Sequence, residues 1–326
     1  MTAQPDSRAG AIPADSGVLA TSGAVIEVRE VHKAYGPVLA VDGVSFDVAA
    51  GEIFGLLGPN GAGKTTTMEM LEGLHKPDSG SLRVLGIDVA QQPAALKERI
   101  GVQLQTAALF PQLTVSELLA LFASFYRRRQ PIEDLLRALG LEEKRAARSK
   151  DLSGGQQQRL SVALALVNDP EVVFLDEPTT GLDPAARRRL WDLILDLKRQ
   201  GRTVLMTTHY LEEAEAICDR VAIMDHGRIL DIGTSDELIG RRFQERALQF
   251  DTIPALGGER LAGLPGVVRT ASEGDTSVLY TRDVAQTIGG LLEATSELGS
   301  EPGNLMVRRA TLEDVFLELT GRALRD

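Results

Sequence analysis

The residues Gly58, Pro59, Asn60, Gly61, Ala62, Gly63, Lys64, Thr65 and Thr66 set two glycines five positions apart, directly before a lysine and two threonines. This is the spacing of a phosphate-cradling loop. Glycines let the backbone close round an anion with its N–H groups pointing inward. Lys64 then reaches the outer phosphates, and the Thr65 hydroxyl is a ligand for Mg²⁺. The loop follows the apolar run Ile53–Leu57 and opens the helix-like stretch Lys64–Gly73. A helix N-terminus adds its positive end at that place.

A second constellation is Val172–Leu175 followed by Asp176 and Glu177. Four apolar residues predict a buried strand, and its C-terminal edge is where ligands bind in open α/β sheets. Asp176 suits Mg²⁺, directly or through water, and Glu177 suits the polarisation of an attacking water. A third is Leu152, Ser153, Gly154, Gly155 and Gln156, ahead of the helix-like Gln157–Val167. This is another anion-binding helix start, and one site does not need two. Either it contacts a nucleotide held by another molecule, or it is a glycine-containing helix cap.

These residues need elements to hold them. Val25–Glu30 and Val41–Val48 alternate as strands do, with Val44, Phe46 and Val48 on one face and Ser45 and Asp47 on the other. Glu171–Asp176, Thr203–Thr207 and Arg220–Met224 read as further buried strands, with helices between several of them. Leu190, Leu193, Ile194 and Leu197 form an apolar helical stripe. The expected class is α/β, a P-loop core with a largely parallel sheet and an antiparallel β flank.

Residues 106–158, with the helical stretches Leu113–Tyr126 and Pro131–Leu139, read as a helical insertion. Residues 1–24 read as a flexible tail, 25–241 as the main domain and 242–326 as a small C-terminal α+β domain. In that last part Val267–Ala271 and Ser277–Thr281 form a hairpin across Gly274, beside a strand at Ala247–Asp251 and helices at Asp283–Leu298 and Thr311–Leu319. The stripe Leu312, Val315, Phe316 and Leu319 is expected to bury against this domain's own sheet or against a second copy.

Thirty-five basic against 46 acidic side chains leave a net charge of −11, so no nucleic-acid partner is expected. The single cysteine, Cys218, forms no intrachain disulfide and reads as a small buried residue. No stretch has the roughly 18 to 20 apolar residues of a membrane helix. His32, His75 and His226 lack companions at metal-ligand spacing, so no protein-only metal site is expected. The charge runs Arg127–Arg129 and Arg187–Arg189 read as solvated helix faces, and Arg241 and Arg242 as docking residues for the C-terminal domain.

Taken together, from about Val25 to Arg241 the chain resembles the nucleotide-binding domain of ABC transporters. Gly58–Thr66 matches the Walker A motif, Leu152–Gln156 the signature and Val172–Glu177 Walker B. The resemblance implies ATP and Mg²⁺ as ligands and ATP hydrolysis as the activity. It implies that Tyr35 stacks on adenine, that Asp183 lies in the D-loop touching the opposing cassette, and that His209 is the switch histidine at the γ-phosphate. Gln105 is the implied Q-loop residue, bridging Mg²⁺ and the membrane partner, with Gln103 the alternative and Leu104 where the family often has proline. The implied partners are a second cassette and an integral membrane permease, which would hold the chain on the cytoplasmic face of the membrane. The ending Thr311–Gly321 resembles ATPases that serve drug- and antibiotic-exporting systems, and the C-terminal domain is then a regulatory or dimer-stabilising module.

Overall fold

The computed structural model describes residues 23–103, 110–243 and 245–321. The expected tail, the start of the helical insertion and Gln105 therefore lie wholly or mostly outside the described residues. An antiparallel sheet opens the chain. Strands β1 (Ala24–Tyr35) and β2 (Val38–Ala49) pair over almost their whole length, longer than their alternation indicated. Asp47 departs from the expected outward face: it is buried, with Arg29 Nη1 2.5 Å away. Strand β3 (Ile53–Leu57) then enters a second sheet and leads through the glycine loop into helix α1 (Lys64–Leu71). Strands β4 (Ser79–Val84) and β5 (Ile87–Asp88) return to the first sheet, whose order is β2-β1-β4-β5.

A short helix, α2 (Pro93–Lys97), precedes β6 (Ile100–Gln103). Four residues with a glycine inside gave no period to read. Gly101 is there for contact, since a Cβ at that position would lie 2.0 Å from the Ala165 carbonyl oxygen. Two helices follow, α3 (Val115–Ser124) and α4 (Ile132–Ala138), and then α5 (Gly154–Leu166). Their apolar faces share one core, with Leu118, Leu119, Leu135, Leu136 and Leu160 among its members.

The parallel sheet is completed by β7 (Val172–Asp176), helix α6 (Pro184–Arg199), β8 (Thr203–Thr208), helix α7 (Leu211–Ile217) and β9 (Arg220–Asp225). An antiparallel edge strand, β10 (Arg228–Gly233), gives the order β10-β9-β3-β8-β7-β6. Strands β3, β7 and β8 are buried at every residue, as sheets covered on both faces require. Of the expected solvated arginines, Arg188 and Arg189 are exposed but Arg187 is half-buried. Cys218 is half-buried rather than buried, just past the end of α7, and packs beside Gly55.

Helix α8 (Ser235–Arg242) crosses the boundary expected near residue 241. Arg241 and Arg242 both hold Asp231 on β10, at 2.7 and 2.5 Å, and so brace α8 on the main domain instead of docking the next one. The C-terminal sheet consists of β11 (Arg246–Asp251), β12 (Val267–Glu273), β13 (Thr276–Thr281) and β14 (Met306–Arg309) in the order β12-β13-β11-β14. Helices α9 (Gly258–Ala262) and α10 (Val284–Ser296) contribute Leu261 and Leu291 to its core. The expected hairpin turns at Gly274, whose φ of 60° suits glycine.

The last helix, α11 (Leu312–Thr320), corrects both expectations for its stripe. Leu312, Val315 and Phe316 bury against Leu57, Ala214, Val221, Ile223 and Leu238, all from the main domain. The Leu312 amide also donates to Glu215 Oε1 on α7 at 2.6 Å. An amphipathic period demands an apolar cover but does not name it, and the chain folded back past its own sheet. Phe316→Ala should therefore destabilise the main domain itself, by about 3–5 kcal/mol. Urea unfolding followed by tyrosine and tryptophan signals checks this, and an unchanged midpoint would reject it.

One buried acid gives a second expectation. Glu72, at the C-terminal end of α1, is 2% exposed. Burial, then the nearby Asp176 and Glu69, pushes its carboxyl from 4.5 up to about 8. Between those values the unfolded chain has released this proton and the folded chain keeps it, so this group's effect lowers stability as pH rises. Glu72→Gln should be more stable than the parent at pH 8 and nearly equal to it at pH 4.5. Matching urea midpoints at pH 8 would count against the assignment.

Candidate nucleotide site

Strand order assembles the site. β3, β8 and β7 are neighbours and parallel, with Leu57 beside Thr208 and Asp176 beside Thr207 in register. The segments leaving their carboxyl ends carry Gly58–Thr66, His209 and Glu177. Three adjacent strands span only about 10 Å, so these side chains meet.

The glycine loop is held by what it cannot clash with. A Cβ at Gly58 would lie 2.2 Å from the Met224 carbonyl oxygen. Gly63 has φ of 99°, and a Cβ there would lie 2.4 Å from the Ala40 carbonyl oxygen. Gly63 is also the N-cap of α1, which begins at Lys64 as expected. The turn between β9 and β10 braces the loop from outside: the Gly227 amide donates to the Ala62 carbonyl at 3.1 Å. Asn60 and Gly61 are exposed, Pro59, Gly63, Thr65 and Thr66 are half-buried, and Gly58, Ala62 and Lys64 are buried.

Lys64 Nζ donates to the carbonyls of Gly58 at 2.7 Å and Pro59 at 3.1 Å, and lies 3.7 Å from Glu177 Oε1. Burial holds this ammonium below the usual lysine range, with Glu177 and Asp176 pulling the other way. Thr65 Oγ1 donates to Asp176 Oδ1 at 3.3 Å, and Thr207 Oγ1 donates to the same oxygen. Burial raises the Asp176 carboxyl, against those two hydroxyls. Thr65 and Asp176 thus place two hard oxygen donors in one corner beside a helix N-terminus, a set that fits a small divalent cation.

Glu177 is 8% exposed, and its backbone has φ of 45°, an uncommon left-handed conformation for a side-chain-bearing residue. The Thr207 hydroxyl accepts from the Glu177 amide at 2.9 Å and so holds both acids of the pair. Glu177 Oε2 accepts from Thr180 Oγ1 at 3.2 Å and lies 3.2 Å from His209 Nδ1. Lysine, carboxylate and imidazole therefore meet round one carboxyl group.

In front of the loop lies a cavity of about 550 Å³, lined by Val38, Leu39, Ala40, Asn60 to Thr66, Glu177 and His226. Tyr35 is 44% exposed and pairs in register with Val38 at the cavity's edge. The exposed Val38 and Leu39 were not singled out by sequence, and His226, in the β9–β10 turn, was read only as lacking companions for a metal. Two apolar residues after Tyr35 and Gly36 were the available signal for Val38 and Leu39; nothing local marks His226. Thr207 was read only as the end of a strand.

Ser153 and Asp183 are brought to the surface instead of into this cavity. Ser153 caps α5: its hydroxyl accepts from the Gln156 amide at 3.4 Å, and Gln156 Oε1 accepts from the Ser153 amide at 3.0 Å. Gly154 is exposed, and a Cβ on Gly155 would touch Ala186 at 3.4 Å, so the starts of α5 and α6 pack together. Asp183 caps α6 through the Ala186 amide at 2.8 Å. Gln103 is buried on β6 and its Nε2 reaches the Asp176 carbonyl at 3.5 Å; Gln105 lies outside the described residues. Among the described residues no cluster of three or more His, Cys, Asp or Glu is set to hold a metal.

Comparison with known proteins agrees with this geometry. Residues 41–180 match the family model described as ABC transporter. The chain is 42% identical over 312 residues to the Nod factor export ATP-binding protein I of Ralstonia nicotianae, covering 93% of this chain and 95% of that one. It is 41% identical to the protein of the same name from a Rhizobium strain, covering 92% and 98%. Among solved structures, the ATP-binding subunit of an ABC transporter superposes with a TM-score of 0.61 at 32% identity, covering 67% of this chain and 92% of that one. A dimeric ATP-binding cassette in a post-hydrolysis state with ADP and Pi gives 0.59 at 26%, covering 64% and 98%. This chain belongs to the ABC transporter family, as one of its ATP-hydrolysing nucleotide-binding subunits.

Proposed function

We propose that the chain powers an export system: two copies close on ATP, and a separate membrane permease, which selects a drug-like or other hydrophobic compound, is driven by the cycle. The observation that carries the chemistry is the meeting of Lys64, Glu177 and His209 within hydrogen-bonding or ion-pair reach. Support for export comes from relatives named for Nod factor export, whose likeness runs through the C-terminal domain. Among the described residues no helix is long and apolar enough to cross a membrane.

In this reading the amides of Gly61 to Thr65 and the Lys64 ammonium hold the ATP phosphates, and Tyr35 packs on the adenine. Thr65, Asp176 and Gln105 would hold Mg²⁺, which when bound neutralises phosphate charge. Glu177 orients and polarises the attacking water, and His209 holds that carboxylate and contacts the γ-phosphate. Ser153, Gly154, Gly155 and Gln156 are exposed enough to face the ATP of the second copy, and Asp183 meets that copy at the same surface. Closure follows only because ATP binds the closed pair more tightly than the open one. The C-terminal domain is a regulatory or dimer-stabilising module, and the assembly sits on the cytoplasmic face of the membrane.

Glu177→Gln should still bind ATP while turnover falls by a factor of about 10² to 10⁴, whereas Lys64→Ala should weaken binding itself. Steady-state ATPase rates with nucleotide titrations check this, and a Glu177→Gln rate within threefold of the parent would sink the assignment. The shared site has its own test. Mixing Lys64→Ala chains with Ser153→Arg chains should recover activity, because one of the two sites in each mixed pair combines an intact Lys64 with an intact Ser153. Sites built within single chains would leave the mixture inactive.

A further inference from the structure

Two side chains of α6 reach the turn that carries His209. The guanidinium carbon of Arg187 lies 4.4 Å from the centre of the Tyr210 ring. One turn later, Trp191 Nε1 donates to Glu213 Oε1 at 3.0 Å. Arg187 and Trp191 stand at i and i+4, so they form two successive rungs on one helix face. Their partners belong to α7, Tyr210 as its N-cap residue and Glu213 as its third residue. His209 is next in the chain, its ring 4.1 Å from that of Tyr210, and it faces Glu177.

Glu213 has no exposed surface. Burial pushes its carboxyl up, against the Thr208 and Thr179 hydroxyls, Trp191 and Arg187. Thr208 immediately precedes His209, and Thr179 follows Glu177 by two residues. The Trp191 hydrogen bond sets this carboxyl at the junction between the face of α6 and the first turn of α7. A buried acid is costly unless its partners are specific, and an apolar side chain of similar volume commonly packs there at no loss. Its presence at this junction is a reason to look for a role in geometry.

We propose that Arg187, Trp191 and Glu213 are positioning residues for His209. The Arg187–Tyr210 stack and the Trp191–Glu213 hydrogen bond lock α6, the helix begun by Asp183, to the turn that holds the imidazole against Glu177. None of the three touches the reacting atoms. Their effect is exerted through the placement of His209, and the inference rests on the reading of Glu177 and His209 as hydrolytic residues.

The test uses the full-length chain with Mg²⁺ and ATP. Arg187→Ala and Glu213→Ala should lower kcat by about tenfold to a hundredfold, the scale of a misplaced catalytic group, with ATP affinity within twofold of the parent. Tyr210→Phe keeps the ring and should keep the rate, while Tyr210→Ala should fall to the level of Arg187→Ala, and the double variant no further. In a His209→Ala background Arg187→Ala should cost nothing more. Trp191, the sole tryptophan, reports the joint: its emission should shift in Glu213→Ala and stay put in His209→Ala. Unchanged kcat in Arg187→Ala and Tyr210→Ala, or an undiminished loss from Arg187→Ala on top of His209→Ala, overturns the proposal. If Glu213→Ala does not fold, the half-buried Arg187 and Tyr210 carry the same test. Parent-like rates for Glu177→Gln or His209→Ala would overturn the underlying reading instead.

Discussion

A lysine and two carboxylates are taken out of water at one edge of a sheet, and most of the fold serves to make that tolerable. Lys64 is 4% exposed, Asp176 4% and Glu177 8%. Removing such groups from solvent costs several kcal/mol each unless partners are placed for them. Here the partners are two loop carbonyls for Lys64, and the hydroxyls of Thr65 and Thr207 for Asp176. Only strands that are adjacent, parallel and in this register bring those groups together, so the order β3-β8-β7 is a condition for the charges being there at all.

The same edge explains where glycine is needed. Gly58 and Gly63 allow the loop to pass within contact of the Met224 and Ala40 carbonyls, which seats it against the β9–β10 turn and the first sheet. Those close approaches fix the shape of the loop from outside. Thr207 does comparable work for the acids, since one hydroxyl serves the Asp176 carboxylate and the Glu177 amide and so sets the direction in which Glu177 points.

Away from the cavity, the starts of α5 and α6 pack on one another and present Ser153 and Asp183 to solvent. Each is bonded within its own helix cap, which fixes the exposed backbone in place, and the two readings of the Ser153 motif are compatible because a capped helix start still offers free amides. At the far end of the chain, α11 covers apolar surface on α7, α8 and the central sheet. The C-terminal region is thus continuous with the core that positions His209, through the helix that follows it.

Short-range chemistry was legible in the residues themselves. The glycine loop before Lys64, the strand ending in Asp176 and Glu177, the helix start at Ser153 and the buried strands β3, β7, β8 and β9 each follow from local pattern, because loop sterics, strand burial and capping are decided by neighbours in the chain. β5, β6, β10 and β14 left little trace: they are short or at an edge, where ladder hydrogen bonds supplied by other strands make up for weak alternation. The cover chosen by the stripe of Leu312, Val315 and Phe316 was likewise unreadable, since burying apolar area is non-directional and several surfaces would satisfy it. Thr207 as the hinge of the acid pair, Arg187 over Tyr210 and Glu213 beneath Trp191 depend on strand register and helix facing across tens of residues. Those distances arise only when the sheet closes, so tertiary structure alone could assign them.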